Sequence, residues 1–386
     1  MIKPANRTNL VQEYYFSQKL KEIEQMNNNG TKVINLGIGN PDMSPPAKVV
    51  STLIDEVNNN ENHGYQSYKG IPELRAAFAN WYSKFYNVVL NPETEILPLI
   101  GSKEGIMHIS MAFLNQGDKV LVPNPGYPTY SSVSKIVGAE IINYNLLPQN
   151  TWYPDFDELE KYDLSNVKIM WVNYPNMPTG QQASFSIFKK LIAFGKKHNI
   201  LICNDNPYSF ILNDNPLSIM SVDGAEDIAI ELNSLSKSHN MAGFRVGVVT
   251  ANTDYISYIL KIKSNMDSGM YKPVQLAAVK ALESSQSWFN GINREYKKRR
   301  KTVWQLFDNL NTVYNKNQTG MFVWARIPDS YSNAFEFSDK VLHESKVFIT
   351  PGSIFGSNGN RYVRISLCST QKTINEAINR ILSEKI

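Results

Sequence analysis

The chain has 386 residues, of which 42% are apolar and 19% charged, and a formal net charge of +4. That length suits one large and one smaller domain with sizeable cores, and so small a net charge speaks against a protein built to coat nucleic acid. No apolar run approaches membrane-spanning length and the N-terminus lacks the apolar core of a signal peptide, so a cytoplasmic protein with no membrane partner is expected.

Along the chain, short apolar runs alternate with longer helical patterns. Segments 119–123 (KVLVP), 140–144 (EIINY), 167–173 (VKIMWVN), 200–203 (ILIC), 228–232 and 246–250 read as strands. Between them, apolar residues recur at helical spacing over 106–114, 186–198 and 255–263. Apolar strands joined by helices predict a mostly parallel mixed sheet flanked by helices, with ligands at the carboxyl ends of its strands. A helical pattern covers 277–310 and carries the basic run 297–301 (KKRRK), which reads as a solvated helix face and not a nucleic-acid patch. Strand, helix, strand and helix follow, with strands at 321–327 and 362–367, and predict a smaller α+β domain. Cys203 and Cys368 lie in apolar runs and read as buried thiols of a reducing compartment, one structural disulfide being the alternative.

The chemistry concentrates where strands end. Gly101-Ser102-Lys103-Glu104-Gly105 follows an apolar run and opens a helix, presenting free N–H groups to an anion. Tyr127 is fixed between prolines in 123–130 (PNPGYPTY), as a core tyrosine or a plate for an aromatic ligand. Asp205 stands just past a buried strand, either capping a turn or pairing with a protonated ring nitrogen, with Tyr208 three residues on. Segment 228–247 (IAIELNSLSKSHNMAGFRVG) runs from a strand into Ser234, Ser236 and Ser238 around Lys237, then to Arg245 between Gly243 and Gly247. A lysine amine beside hydroxyls and a guanidinium suits a covalently held aldehyde bearing a phosphate. A solvated loop with an ordinary lysine is the plainer alternative.

Other chemistries fall away. Gly37-Ile38-Gly39 begins a dinucleotide fingerprint, but Pro41 and Asp42 interrupt it, and no Walker A or G-x-S-x-G segment is present. The five histidines lack paired ligand spacing and there is no C-x-x-C, so no metal is expected. Ser234-Leu235-Ser236-Lys237 fits S-x-x-K, but the S-D-N and K-T-G elements that accompany it in acyl-enzymes are missing.

Lys237 with Ser234, Ser236 and Arg245, the Asp205/Tyr208 pair, Pro178-Thr179-Gly180 and 362–366 (YVRIS) together resemble the fold-type I, class I/II pyridoxal-phosphate aminotransferases, related to aspartate aminotransferase. The resemblance runs from 36–42 (LGIGNPD) to Leu367. It implies a large pyridoxal-phosphate domain over 46–280, and an N-terminal arm and small domain from 1–45 and 281–386. By it, Lys237 binds pyridoxal 5′-phosphate covalently and moves the substrate proton, Asp205 holds the ring nitrogen, Tyr208 the ring oxygen, and Tyr127 stacks on the ring. The phosphate falls to Ser102, Lys103, Ser234, Ser236 and Arg245, with Tyr65 lent by a neighbouring subunit. Arg364 clamps the substrate α-carboxylate, where lysine would serve poorly, and the Gly39 backbone approaches the same group. A homodimer with shared sites, acting on amino acids and 2-oxo acids, is implied.

One departure stands out: Met177 occupies the place of the family's ring-binding asparagine, and a thioether cannot donate a hydrogen bond. Asn176, a water, or Tyr208 alone is left for that contact. The resemblance also implies that loop 261–275 reaches the neighbouring site, with Asn265 and Ser268 as contacts; it holds no arginine for a dicarboxylate side chain. Tyr14, Tyr15 and Phe16 are expected to cover the pocket and favour an apolar or aromatic substrate. A pyridoxal-phosphate C–S β-lyase and a non-catalytic ligand-binding protein of the same fold are the alternatives.

Overall fold

The computed structural model describes residues 2–384. Its centre is a seven-stranded sheet built from β1 (Ile96–Leu99), β2 (Lys119–Asn124), β3 (Glu140–Asn145), β4 (Val167–Val172), β5 (Leu201–Asp205), β6 (Ala229–Ser234) and β7 (Gly247–Thr250). The spatial order is β1-β7-β6-β5-β4-β2-β3. Strands β2 to β6 run parallel, while β7 is antiparallel to both neighbours, β6 and β1.

Helices cover both faces, so β5 and β6 are buried along their whole length and read as unbroken apolar runs. Alternation survives within them. Val120, Val122, Leu201 and Cys203 pack on one side with Ile106 and Ile109 of helix Ser102–Phe113. Leu121, Met170 and Ile202 pack on the other with Phe188 and Leu191 of helix Phe185–His198. Each such side chain contributes roughly 1.5–3 kcal/mol by leaving water. Strand β1 tolerates Pro98 because it is an edge strand, bonded only to β7.

A four-stranded antiparallel sheet joins Val313–Tyr314, Phe322–Arg326, Tyr362–Ser366 and Thr350–Pro351, packed by helices Gln286–Asn309, Ala334–Ser345 and Gln371–Glu384. The N-terminal segment belongs to this core. Ile34–Asn35 pairs in parallel with Val347–Phe348, and Phe16, Ile23 and Leu36 are buried among Val303, Phe337 and Ile365. The architecture is thus a large α/β unit with a smaller α+β unit.

Two expectations need correction. The helical pattern over 277–310 is two helices, Lys272–Leu282 and Gln286–Asn309, the second capped by Ser285, whose hydroxyl accepts from the Trp288 N–H. The basic run on it is only partly solvated. Lys297, Lys298 and Lys301 are exposed, but Arg299 is buried, 2.6 Å from Asp42 and 3.3 Å from Glu295, and donates to the Leu367 carbonyl at 3.0 Å. Cys203 and Cys368 are both buried and free, so the disulfide alternative falls. Among the described residues, no helix is long and apolar enough to cross a membrane.

Gly247 sits opposite both Leu99 and Ser234 in the sheet. A Cβ there would lie 2.7 Å from the Ser102 nitrogen and 3.0 Å from the Asn233 carbonyl oxygen, both backbone atoms that cannot swing away. Gly247→Ala is therefore expected to destabilise the protein by roughly 1–3 kcal/mol through overpacking. Gly243→Ala, with open space around it, should stay within about 0.5 kcal/mol of the parent. Urea unfolding of the two variants checks this; equal midpoints would contradict it.

Candidate active site

The carboxyl ends of β1, β2, β4, β5 and β6 converge on one cavity of about 390 Å³. Convergence of this kind follows from parallel strands, which bring their ends to one edge however far apart they lie in sequence. Asp205 closes β5, and Lys237 follows β6 on the short helix Leu235–Ser238. Ser102 and Lys103 open the helix after β1, Tyr127 follows β2, and Asn173 follows β4. From the small unit comes Arg364, held in register between Trp324 and Thr350.

Asp205 is buried, and its Oδ2 accepts a hydrogen bond from the Tyr130 hydroxyl at 2.9 Å. Its Oδ1 is buried with no partner. Burial pushes the carboxyl up to about 6, against the pull of Tyr130 and with help from the buried carboxylate of Glu231. Tyr130 is itself fixed by stacking on Trp171, centroids 5.1 Å apart and planes 3° off parallel, and Tyr127 meets it edge-on at 5.5 Å.

The Lys237 amine donates to the Gly39 carbonyl at 2.5 Å. Burial, together with the positive charges of Arg364 and Arg245, holds its pKa below the usual lysine value. A depressed pKa keeps more of the amine free to attack a carbonyl. Tyr208 also lines the cavity and is buried, its phenol pushed up by burial.

At the other end, Ser102, Lys103, Ser234, Ser236 and Arg245 line the cavity. The Arg245 guanidinium lies against Gly101, whose missing side chain leaves the room, and donates to the Ala242 carbonyl at 2.9 Å and the Ser236 hydroxyl at 3.4 Å. Gly101 adopts φ +82°, so glycine suits this turn twice over. The helix start, hydroxyls and guanidinium form a cup for a doubly charged anion.

Arg364 is boxed by aromatic faces, its guanidinium carbon 3.9 Å from the Phe322 centroid, 4.6 Å from Phe355 and 5.8 Å from Phe16. It donates to the Gly37 carbonyl at 3.0 Å and to the Met177 sulfur at 3.1 Å, while its buried Nε has no partner. Burial lowers its pKa to about 10. Gly39 lies beside it, packed so closely on the Phe322 ring that a side chain has no room.

The structure thus gathers Lys237, Asp205, Tyr208, Tyr127, Ser102, Lys103, Ser234, Ser236, Arg245, Gly39 and Arg364 around one cavity. Tyr65 is 92% exposed and does not reach it within the chain. Asn176 is a correction. Its carboxamide oxygen accepts from the Thr179 hydroxyl at 2.7 Å and its NH2 donates one hydrogen to the Asn173 carbonyl, both within the turn, and Asn176 is not among the residues lining the cavity. Asn173 lines the cavity instead, bonded to the Asp205 carbonyl and to the Met177 N–H. Tyr15 is a second correction: it packs beside Phe335, while Tyr14, Phe16 and Leu20 line the cavity mouth.

Sequence reasoning missed Tyr130 and the aromatic box around Arg364. Tyr130 stood in plain view, one helical turn beyond Tyr127. Phe322 and Phe355 carry no local signal, because they meet Arg364 only through strand pairing and a distant turn. One group with metal-ligand chemistry occurs among the described residues, Glu104, His108 and Asp267, whose ligating atoms lie within 4.8 Å of one another. The buried Lys263 ammonium, 2.5 Å from Asp267, already supplies positive charge there.

The family model for aminotransferase class I and II matches residues 31–381. An LL-diaminopimelate aminotransferase of Dehalococcoides mccartyi is 39% identical over 386 residues, covering 100% of this chain and 99% of the relative. One of Oleidesulfovibrio alaskensis is 40% identical over 382 residues, 98% of each chain. The solved substrate-bound structure of BacF from Bacillus subtilis is 35% identical and superposes with a TM-score of 0.94 over 99% of this chain and 98% of that one. The chain belongs to the class I and II aminotransferases.

Proposed function

We propose that the chain binds pyridoxal 5′-phosphate in this cavity and, as a homodimer, moves amino groups between amino acids and 2-oxo acids in the cytoplasm. The observation that carries the reading is the orphaned Oδ1 of Asp205, a buried carboxylate oxygen that lacks only a donor such as a protonated ring nitrogen. The residues fit the cofactor at its other points too. Lys237 offers the amine for its aldehyde, Tyr208 a hydroxyl for its ring oxygen, Tyr127 a face for its ring, and Ser102, Lys103, Ser234, Ser236 and Arg245 donors for its phosphate. When bound, the cofactor supplies an aldehyde carbon and an electron-withdrawing ring.

The chain does the rest. Arg364, with its free Nε, and the Gly39 backbone would orient the substrate α-carboxylate so that the Cα–H bond is presented to Lys237 Nζ. Lys237 Nζ then takes the Cα proton and returns it as general acid. The mouth residues Tyr14, Phe16, Leu20 and Ile38 exclude water and favour an apolar or aromatic side chain. The relatives named for LL-diaminopimelate make that amino acid the necessary comparison in any substrate screen.

Homodimerisation is supported by apolar side chains left at the surface. Ile54 is 57% exposed and Met266 57%, with Val50, Val57 and Tyr68 also uncovered. A partner placed over them would give Tyr65 a phosphate to meet. The two free thiols suit a reducing cytoplasm.

Lys237→Ala is expected to abolish turnover and the pH-sensitive absorption of the covalent cofactor link while still binding pyridoxal phosphate through the anion cup. A variant that still formed a borohydride-reducible link would place the reactive lysine elsewhere. Arg364→Lys should lower kcat/KM by roughly ten- to a hundredfold for every amino acid, with cofactor retention unchanged. Arg245→Lys should weaken cofactor retention first, and the opposite pattern would mean that the two arginines have exchanged roles.

Asp205 supplies a prediction in pH. Its folded pKa of about 6 exceeds the unfolded value near 3.8, so the cofactor-free protein loses stability as pH rises through 6. Asp205→Asn should therefore stabilise the cofactor-free protein at pH 8, by up to about 3 kcal/mol, and bring little gain at pH 4. The same variant should lose activity. Equal stabilisation at both pH values, measured by chemical denaturation, would rule out the buried charge as the cause.

A further inference from the structure

The group Glu104, His108, Asp267 and Lys263 lies outside the cavity, and nothing in the chemistry above uses it. Glu104 sits in the first turn of helix Ser102–Phe113, the helix whose start forms part of the anion cup. One of its oxygens accepts from the Ile100 N–H, just ahead of Gly101, and the other meets His108 Nε2 at 2.7 Å. His108 and Lys263 are each 1% exposed. Lys263 closes helix Thr253–Lys263 and bonds Asp267 at 2.5 Å, while Asp267 accepts the Gly269 N–H at 2.7 Å. A carboxylate and an ammonium this poorly solvated hold each other in one geometry, because separating them would leave a buried charge unpaired.

The loop that Asp267 shapes lies on the segment carrying Tyr65. Gly269, at φ +86°, approaches so closely that a Cβ would lie 2.5 Å from the Gln66 carbonyl oxygen and 3.0 Å from that of Ser67. Gln275 clamps the other end, accepting from the Ile71 N–H at 2.8 Å and donating to the Met270 carbonyl at 2.6 Å. A line of neighbouring groups therefore runs from Ile100 to Glu104, which bonds His108, then to Asp267, whose carboxylate lies within 4.8 Å of both, and through Gly269 to Gln66.

We propose that Glu104, His108, Lys263 and Asp267 are positioning residues for phosphate binding, locking the cup of one subunit and the Tyr65 segment offered to its neighbour into a single unit. The proposal rests on the pyridoxal-phosphate reading above, and its Tyr65 half on the dimer. None of the four touches the cofactor. Their effect is on where the Ser102 and Lys103 N–H groups and the Tyr65 hydroxyl stand, and hence on the phosphate, not on the ring.

Comparing pyridoxal phosphate with pyridoxal, which lacks the phosphate, isolates that effect. Equilibrium titration by absorbance is expected to show Glu104→Gln and Asp267→Asn raising the Kd for pyridoxal phosphate about tenfold while the Kd for pyridoxal stays within twofold. Asp267→Glu should recover most of the loss. Inorganic phosphate should compete with pyridoxal phosphate less well in the variants than in the parent. Should Lys263→Met fail to fold, the nearly isosteric Glu104→Gln still decides the question. Equal weakening for both aldehydes would mean general loosening and overturn the proposal, as would folded variants with unchanged affinity for pyridoxal phosphate. Failure of the parent protein itself to bind pyridoxal phosphate would instead overturn the underlying functional reading.

Discussion

Everything in the cavity depends on holding charge out of water with its hydrogen bonds unfinished. Asp205 has one bonded oxygen and one bare, Arg364 has a bare Nε, and the Lys237 amine leans on a single carbonyl. An isolated buried charge is costly, and such groups persist only where the surrounding packing leaves them no alternative. Here the packing is the seven-stranded sheet with helices on both faces, which fixes β5 and β6 beyond adjustment. Neighbouring strands in fixed register, Asp205 opposite Leu232 and Ser234 opposite Gly247, fix where the carboxylate and the lysine turn stand relative to each other. On the proposed reading, what the sheet holds unsatisfied a ligand with the complementary charges would satisfy.

The aromatic residues soften that cost without removing it. Phe322 and Phe355 present their electron-rich faces to Arg364, which steadies the cation while offering no competing hydrogen-bond acceptor. A carboxylate partner in their place would have neutralised the guanidinium. Met177 follows the same logic: its sulfur is a weak acceptor for Arg364, a contact that the proposed substrate carboxylate would displace. The same residue leaves Tyr208 as the hydroxyl donor on that wall, since Asn176 is committed to its turn and Asn173 to the Asp205 backbone.

The sheet was legible in the sequence because its strands are buried on both faces and so stand out as short apolar runs. The Lys237 turn and the cluster of Ser102, Lys103, Ser234, Ser236 and Arg245 were legible because each is local, a strand end with its following turn. Groups that act through tertiary contact were not. Tyr130 reaches Asp205 from another strand's helix, Phe322 and Phe355 meet Arg364 across the small sheet, and Glu104 finds Asp267 across two helices. Asn176 misled because proximity to Thr179 and Gly180 in sequence says nothing about which way a carboxamide turns when the turn itself needs its hydrogen bonds. Arg299 misled for a related reason: a basic run on a helix exposes most of its members, yet the one facing inward found Asp42.

Arg299 and Asp42 also show how the two units are made to share one site. The segment from Leu36 to Asp42 leaves the two-stranded pair with Val347–Phe348, where the Leu36 N–H bonds the Phe348 carbonyl, and runs on toward the cavity. Its Gly37 carbonyl accepts from both Arg364 and the Thr350 hydroxyl, its Gly39 carbonyl accepts from Lys237, and Asp42 is pinned by Arg299. Gly37 and Gly39 have no room for side chains, being pressed on Phe348 and Phe322. One extended strip of backbone thus touches both Arg364 and Lys237. On the proposed reading, a substrate whose carboxylate meets Arg364 and whose Cα meets Lys237 lies along that strip, so the segment that ties the two units together also borders the place where they would share a substrate.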